Sequence, residues 1–82
     1  MLDLHYVLET KARETLTNLD ISGSVVGVCF VYNKGCSMIR ITFCSDVEPK
    51  PVLFGFDYLE KDNNDDTTWY LYMTIDTYIQ IK

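Results

Sequence analysis

The thirteen residues from Trp69 to Ile81 alternate almost without a fault between apolar and polar positions. The odd positions read Trp69, Leu71, Met73, Ile75, Thr77, Ile79 and Ile81, and the even ones Tyr70, Tyr72, Thr74, Asp76, Tyr78 and Gln80. A period of two puts one set against a core and leaves the other free. Ordinary strands run about five or six residues, so two readings are open. Either one strand of about 14 residues spans roughly 45 Å, or it breaks near Asp76-Thr77. The expectation is a strand from about Thr68 to Ile75, a kink or bulge near Asp76, and a short continuation.

Elsewhere the periodicity changes. Leu4, Leu8, Ala12, Leu16 and Leu19 draw one apolar stripe at helical spacing, which predicts a helix over 3–19 with Asp3 as its N-cap. The run Asp20-Ile21-Ser22-Gly23 ends it. Residues 24–32 form a continuous apolar run rich in β-branched and aromatic side chains, and 37–44 alternate, with Ile39, Ile41 and Phe43 on one side and Arg40 and Thr42 on the other. Asn33-Lys34-Gly35 between them suits a three-residue hairpin loop with glycine in the left-handed position. That loop pairs Tyr32 with Cys36, Cys29 with Ile39 and Val25 with Phe43. It puts Val26, Val28 and Phe30 on the face of Arg40 and Thr42, so the first strand is apolar on both faces. Pro49 and Pro51 exclude a central strand from the turn region before 52–59, which reads as a third strand. Glu60 to Asp66 reads as a polar loop. The predicted fold is α+β, a single small domain spanning 1–82 in the order α-β-β-β-β. An N-terminal helix packs on an antiparallel sheet of four strands, or five if the last segment divides.

Charge sharpens this picture more than bulk composition does. The net charge is −5, and 48% of the residues are hydrophobic, ample for one sheet and one helix. Residues 46–66 hold Asp46, Glu48, Asp57, Glu60, Asp62, Asp65 and Asp66 against Lys50 and Lys61, so this segment alone accounts for the net charge. Clustered Lys and Arg, which a phosphate backbone needs, are missing, so direct nucleic-acid binding is not expected and a basic partner is. Cys29, Cys36 and Cys44 are odd in number and lie in apolar runs. The chain opens Met1-Leu2-Asp3, acidic where a secretion signal is basic. A reducing, cytoplasmic location is therefore expected. No run approaches the ~20 apolar residues of a membrane helix.

Candidate chemistry is sparse. The single histidine, His5, opens the helix, far in sequence from any cysteine. The cysteines lack zinc spacing, and the glycines make no phosphate loop. Asp62, Asn64 and Asp66 are spaced like the first ligands of an EF-hand loop, but Thr67 stands where that loop needs glycine and Met73 where it needs glutamate. Catalytic residues, metal and cofactor are not expected, and the chain is not read as an enzyme.

Binding is the stronger expectation. Tyr70, Tyr72 and Tyr78 offer rigid amphipathic area, and the acids Asp57, Glu60, Asp62, Asp65 and Asp66 lead into the strand that displays them. Together these eight residues are the candidate partner-binding set, with charge steering the encounter and rings anchoring it. No family motif is recognisable. In size and charge the chain is similar to the small acidic inhibitors that phages and mobile elements encode against defence nucleases, in the manner of anti-CRISPR or anti-restriction proteins. The alternative likeness is to immunity proteins or antitoxins that neutralise a basic toxin, and the first is the favoured expectation. A non-catalytic homo-oligomer remains a further alternative, and a homodimer is compatible with all of them.

Overall fold

The computed structural model describes residues 4–33, 35–53 and 55–80. Asp3 as N-cap, Lys34 in the hairpin loop, Phe54 in the third strand and Ile81 in the last lie outside the described residues. So do the side chains of His5, Ile79 and Gln80. The elements are α1 (Leu4–Asn18), β1 (Ser24–Asn33), β2 (Cys36–Cys44), β3 (Tyr58–Lys61), β4 (Thr68–Thr74) and α2 (Ile75–Gln80). The four strands form one antiparallel sheet in the order β1-β2-β4-β3, with α1 packed on β1. The predicted α+β class, the helix and the four-stranded sheet all stand.

Helix α1 buries the predicted stripe from its second turn on, with Ala12 and Leu16 in the core and Leu8 and Leu19 packed against it, while Leu4 at its start stays exposed. Its C-terminus closes in a Schellman arrangement. The Ile21 N–H donates to the Leu16 carbonyl at 2.9 Å and the Asp20 N–H to the Thr17 carbonyl at 3.1 Å. Asp20 takes the left-handed conformation this cap requires, with φ 58°. The apolar pair that accompanies such a cap, Leu16 and Ile21, is buried. Chain entry into β1 is close: a Cβ on Gly23 would lie 2.8 Å from the Cys44 carbonyl oxygen and 2.9 Å from Phe43 Cδ2.

The helix-side core is built where the alternation predicts. Ile39, Ile41 and Phe43 of β2 pair with Met73, Leu71 and Trp69 of β4, and all six are buried. Each such side chain contributes roughly 1.5–3 kcal/mol of transfer free energy.

Three details differ from the expectation. The first hairpin is tighter, since Asn33 pairs with Cys36 and only two residues lie between them. Phe30 therefore pairs with Ile39 and Cys29 with Arg40, one residue off the predicted register. A shift of one residue exchanges the faces. Val28 and Phe30 join the helix side, and Cys29 and Val31 take the side of Arg40. A bulge between Val25 and Gly27 then restores Val25 opposite Phe43, as predicted. Second, the third strand starts late, at Tyr58, and extends through Glu60 and Lys61. Gly55, at φ 63°, turns the chain just before it, and Leu53 reaches the core from irregular backbone. Third, the long C-terminal alternation breaks near Asp76 as expected, but α2 follows instead of a strand.

Candidate binding surface

The sheet face away from α1 carries Arg40 and Thr42 of β2, Tyr70 and Tyr72 of β4, and Tyr58 and Glu60 of β3, placed together by the pairings Arg40–Tyr72–Tyr58 and Thr42–Tyr70–Glu60. Directly opposed residues share a face, as do residues two apart on one strand, so the two central tyrosines of β4 stand together as predicted. They also contact each other's neighbours. Tyr72 stacks on Tyr58 with centroids 4.5 Å apart and planes 11° apart. The Arg40 guanidinium lies over the Tyr70 ring, 5.3 Å from its centroid. The Asn33 amide donates to the Tyr58 hydroxyl. Both Tyr70 and Tyr72 are half-buried by these contacts. Desolvation pulls the Arg40 pKa down, but hydrogen bonding to Tyr72 and the neighbouring Cys29 outweigh it and leave it raised.

The acidic loop at the end of this face is ordered by its own carboxylates. Asp62 Oδ1 accepts the N–H groups of Asn64 at 2.8 Å and Asp65 at 3.0 Å, and Oδ2 accepts the Tyr70 hydroxyl. Asp65 Oδ1 accepts the Thr67 N–H and hydroxyl, both at 2.9 Å, and Oδ2 the Thr68 hydroxyl at 3.0 Å. Such bonds favour the charged form. The Tyr70 hydroxyl first, then the Asn64 amide, hold Asp62 below the usual carboxylate range. The Thr67 amide and hydroxyl do the same for Asp65. Asp62 in turn raises the Tyr70 pKa. Asp66 points outward, with its side chain 97% exposed and 3.6 Å from Lys61 Nζ. Glu60 is exposed on β3.

Two of the eight predicted residues do not join this surface. Tyr78 was expected beside Tyr70 and Tyr72, but α2 replaces the strand and turns it inward, leaving it 4% exposed with its hydroxyl donating to the Leu8 carbonyl at 2.7 Å. Asp57 lies at the other end of β4, where Oδ1 accepts the Thr74 N–H at 3.0 Å. Burial raises its pKa against the opposing pull of that bond. It acts as a backbone cap, remote from the acidic loop. The structure therefore gathers Tyr70, Tyr72, Glu60, Asp62, Asp65 and Asp66, and adds Tyr58, Arg40 and Asn33, which the sequence reading left out. Correct placement of β3 would have revealed Tyr58, since Tyr58 and Tyr72 then fall opposite each other.

Among the described residues no group of three or more His, Cys, Asp or Glu side chains is arranged to hold a metal ion. No helix among them is long and apolar enough to cross a membrane. The three cysteines are free and half-buried. No protein-family model, curated protein or solved structure matches the chain.

Proposed function

We propose that this chain is a protein-binding inhibitor that presses the acidic β3–β4 end of its sheet against a basic surface, one that normally handles nucleic acid. The observation that supports it most is the preorganised β3–β4 loop. Asp62 and Asp65 are fixed by internal bonds that keep them ionised, while Asp66 and Glu60 project beside them. A rigid anionic tip loses little entropy on docking, and charge raises its association rate. Tyr70 and Tyr72 form its aromatic shoulder. Because they are already half-buried, they contribute the exposed parts of their rings. The partner is a protein, in a reducing cell interior that suits free thiols. A defence nuclease, met by a phage- or mobile-element-type inhibitor, is the favoured target. A basic toxin is the alternative, with the same recognition chemistry.

The test is affinity capture from host lysate, with captured proteins identified by mass spectrometry and the binding remeasured between about 50 and 500 mM salt, where screening shortens to a few ångströms. Basic nucleic-acid-handling proteins, released by salt and lost with Glu60→Lys and Asp66→Lys, are the expected result. Neither side chain accepts the hydrogen bonds that order the loop, which fall to Asp62 and Asp65. A partner whose affinity is indifferent to salt and to both substitutions would refute the reading.

A further inference from the structure

The two edges of the sheet differ in kind. The β3 edge is four residues long and carries Glu60 and Lys61, the short charged form that keeps strand edges from pairing. The β1 edge is ten residues long, Ser-Val-Val-Gly-Val-Cys-Phe-Val-Tyr-Asn, with no Lys, Arg, Asp, Glu or Pro. Its one protective device is the bulge at Val26, which leaves the seven residues from Gly27 to Asn33 in regular register. No described strand pairs with its outer side. Three large apolar side chains along it are bare, with Phe30 61%, Tyr32 77% and Val26 63% exposed. Helix α1 folds back over β1 through the short link 19–23.

We propose that the β1 edge is the interface of a twofold symmetric homodimer, in which β1 pairs antiparallel with β1 of a second copy and joins the two sheets into one of eight strands. An antiparallel strand pair is self-complementary, as an isologous twofold interface requires. Charge selects this edge over the other. The acids that make the net charge lie in residues 46–66, on and before the β3 edge. In α1, Glu9 and Glu14 balance Lys11 and Arg13, and β1 carries no formal charge. Two copies of a −5 chain can therefore meet at β1 with their acidic loops turned to opposite ends. Area favours the same pairing. Phe30 and Tyr32 alone leave on the order of 300 Å² of aromatic surface per copy, at roughly 150–250 Å² for each such side chain. Val26 and the strand backbone add to this, a substantial part of the ~800 Å² per partner of a standard interface.

Sedimentation velocity of the full chain across about 1–200 µM tests this, since a dimer's population follows concentration by mass action. A species of twice the 9.5 kDa chain mass is expected. Phe30→Lys and Tyr32→Lys should move the monomer–dimer midpoint upward by about 30-fold or more, as loss of a central aromatic anchor does. Glu60→Lys, on the far edge, should leave it in place. Amide exchange of the wild-type chain gives an independent readout, because amides within Gly27–Asn33 should exchange more slowly at high than at low concentration. A wild type that stays monomeric throughout, a dimer indifferent to both lysine substitutions, or β1 exchange independent of concentration would each overturn the proposal.

Discussion

Tyr78 shows how far a single side chain can depart from its sequence pattern. It occupies an even position of a strict alternation, the one reserved for solvent, yet its ring fills the core and its hydroxyl meets the Leu8 carbonyl. Burial first, and the nearby Glu14 carboxylate second, push its pKa up to about 12. The folded state thus favours the neutral phenol. In the unfolded chain a tyrosine ionises near 10. Its contribution to stability is therefore complete below about pH 10 and lost as pH rises towards 12. Tyr78→Phe should cost about 1 kcal/mol at neutral pH, the net worth of one hydrogen bond. It should also flatten the fall in melting temperature across that alkaline window. An unchanged alkaline profile in the variant would show that other groups set it.

At the scale of elements, periodicity was a sound guide wherever one face is buried and the other is not. Helix α1, strand β2 and the first half of the C-terminal run could be read from the positions of Leu16, Ile41 and Leu71. It was a poor guide where both faces are apolar, because nothing in β1 distinguishes Val28 from Cys29, and the choice between a two- and a three-residue turn decided the register. The change from β4 to α2 was equally hidden. Six residues, Ile75–Gln80, satisfy a helix as well as a strand, and the choice falls to tertiary contacts such as that of Tyr78. The candidate site was legible in its charges and in Tyr70 and Tyr72, but its internal bonds were not, since they depend on loop geometry. Those bonds make the loop's order testable. Asp62→Ala removes the acceptor for the Asn64 and Asp65 amides and for the Tyr70 hydroxyl. Both amides should then exchange faster. Asp66→Ala, at an outward position, should leave their exchange unchanged. In the wild type the lowered pKa values of Asp62 and Asp65 give the sign of the acid response. Their stabilisation is present above the unfolded carboxylate value of about 3.9 and is lost as pH falls through the still lower folded values. Equal exchange rates in Asp62→Ala and Asp66→Ala would mean that the backbone alone holds the loop.

Across the whole molecule the sheet separates two kinds of surface. One edge is long, uncharged and apolar, and the other ends in an ordered anionic loop. In the proposed dimer the two β3 strands lie seven strand spacings apart, roughly 34 Å at ~4.8 Å each, so the assembly presents two acidic tips at opposite ends. The two surfaces should then answer salt in opposite senses. Association of two −5 chains through a neutral edge is opposed only by long-range repulsion, which salt screens over a Debye length of about 10 Å at 0.1 M. Raising salt should therefore leave dimerisation unchanged or strengthen it, as apolar burial does not depend on charge attraction. Docking of the acidic tip on a basic partner is attractive at long range, so the same change should weaken it, chiefly by slowing association. Sedimentation at about 20 and 300 mM salt reads the first response, and association kinetics on the captured partner read the second. Were dimerisation to weaken with salt in parallel with partner binding, charged groups would have to lie in the dimer interface. That result would transfer self-association from the β1 edge to a contact that sets the acidic end of one copy against Lys or Arg side chains of another.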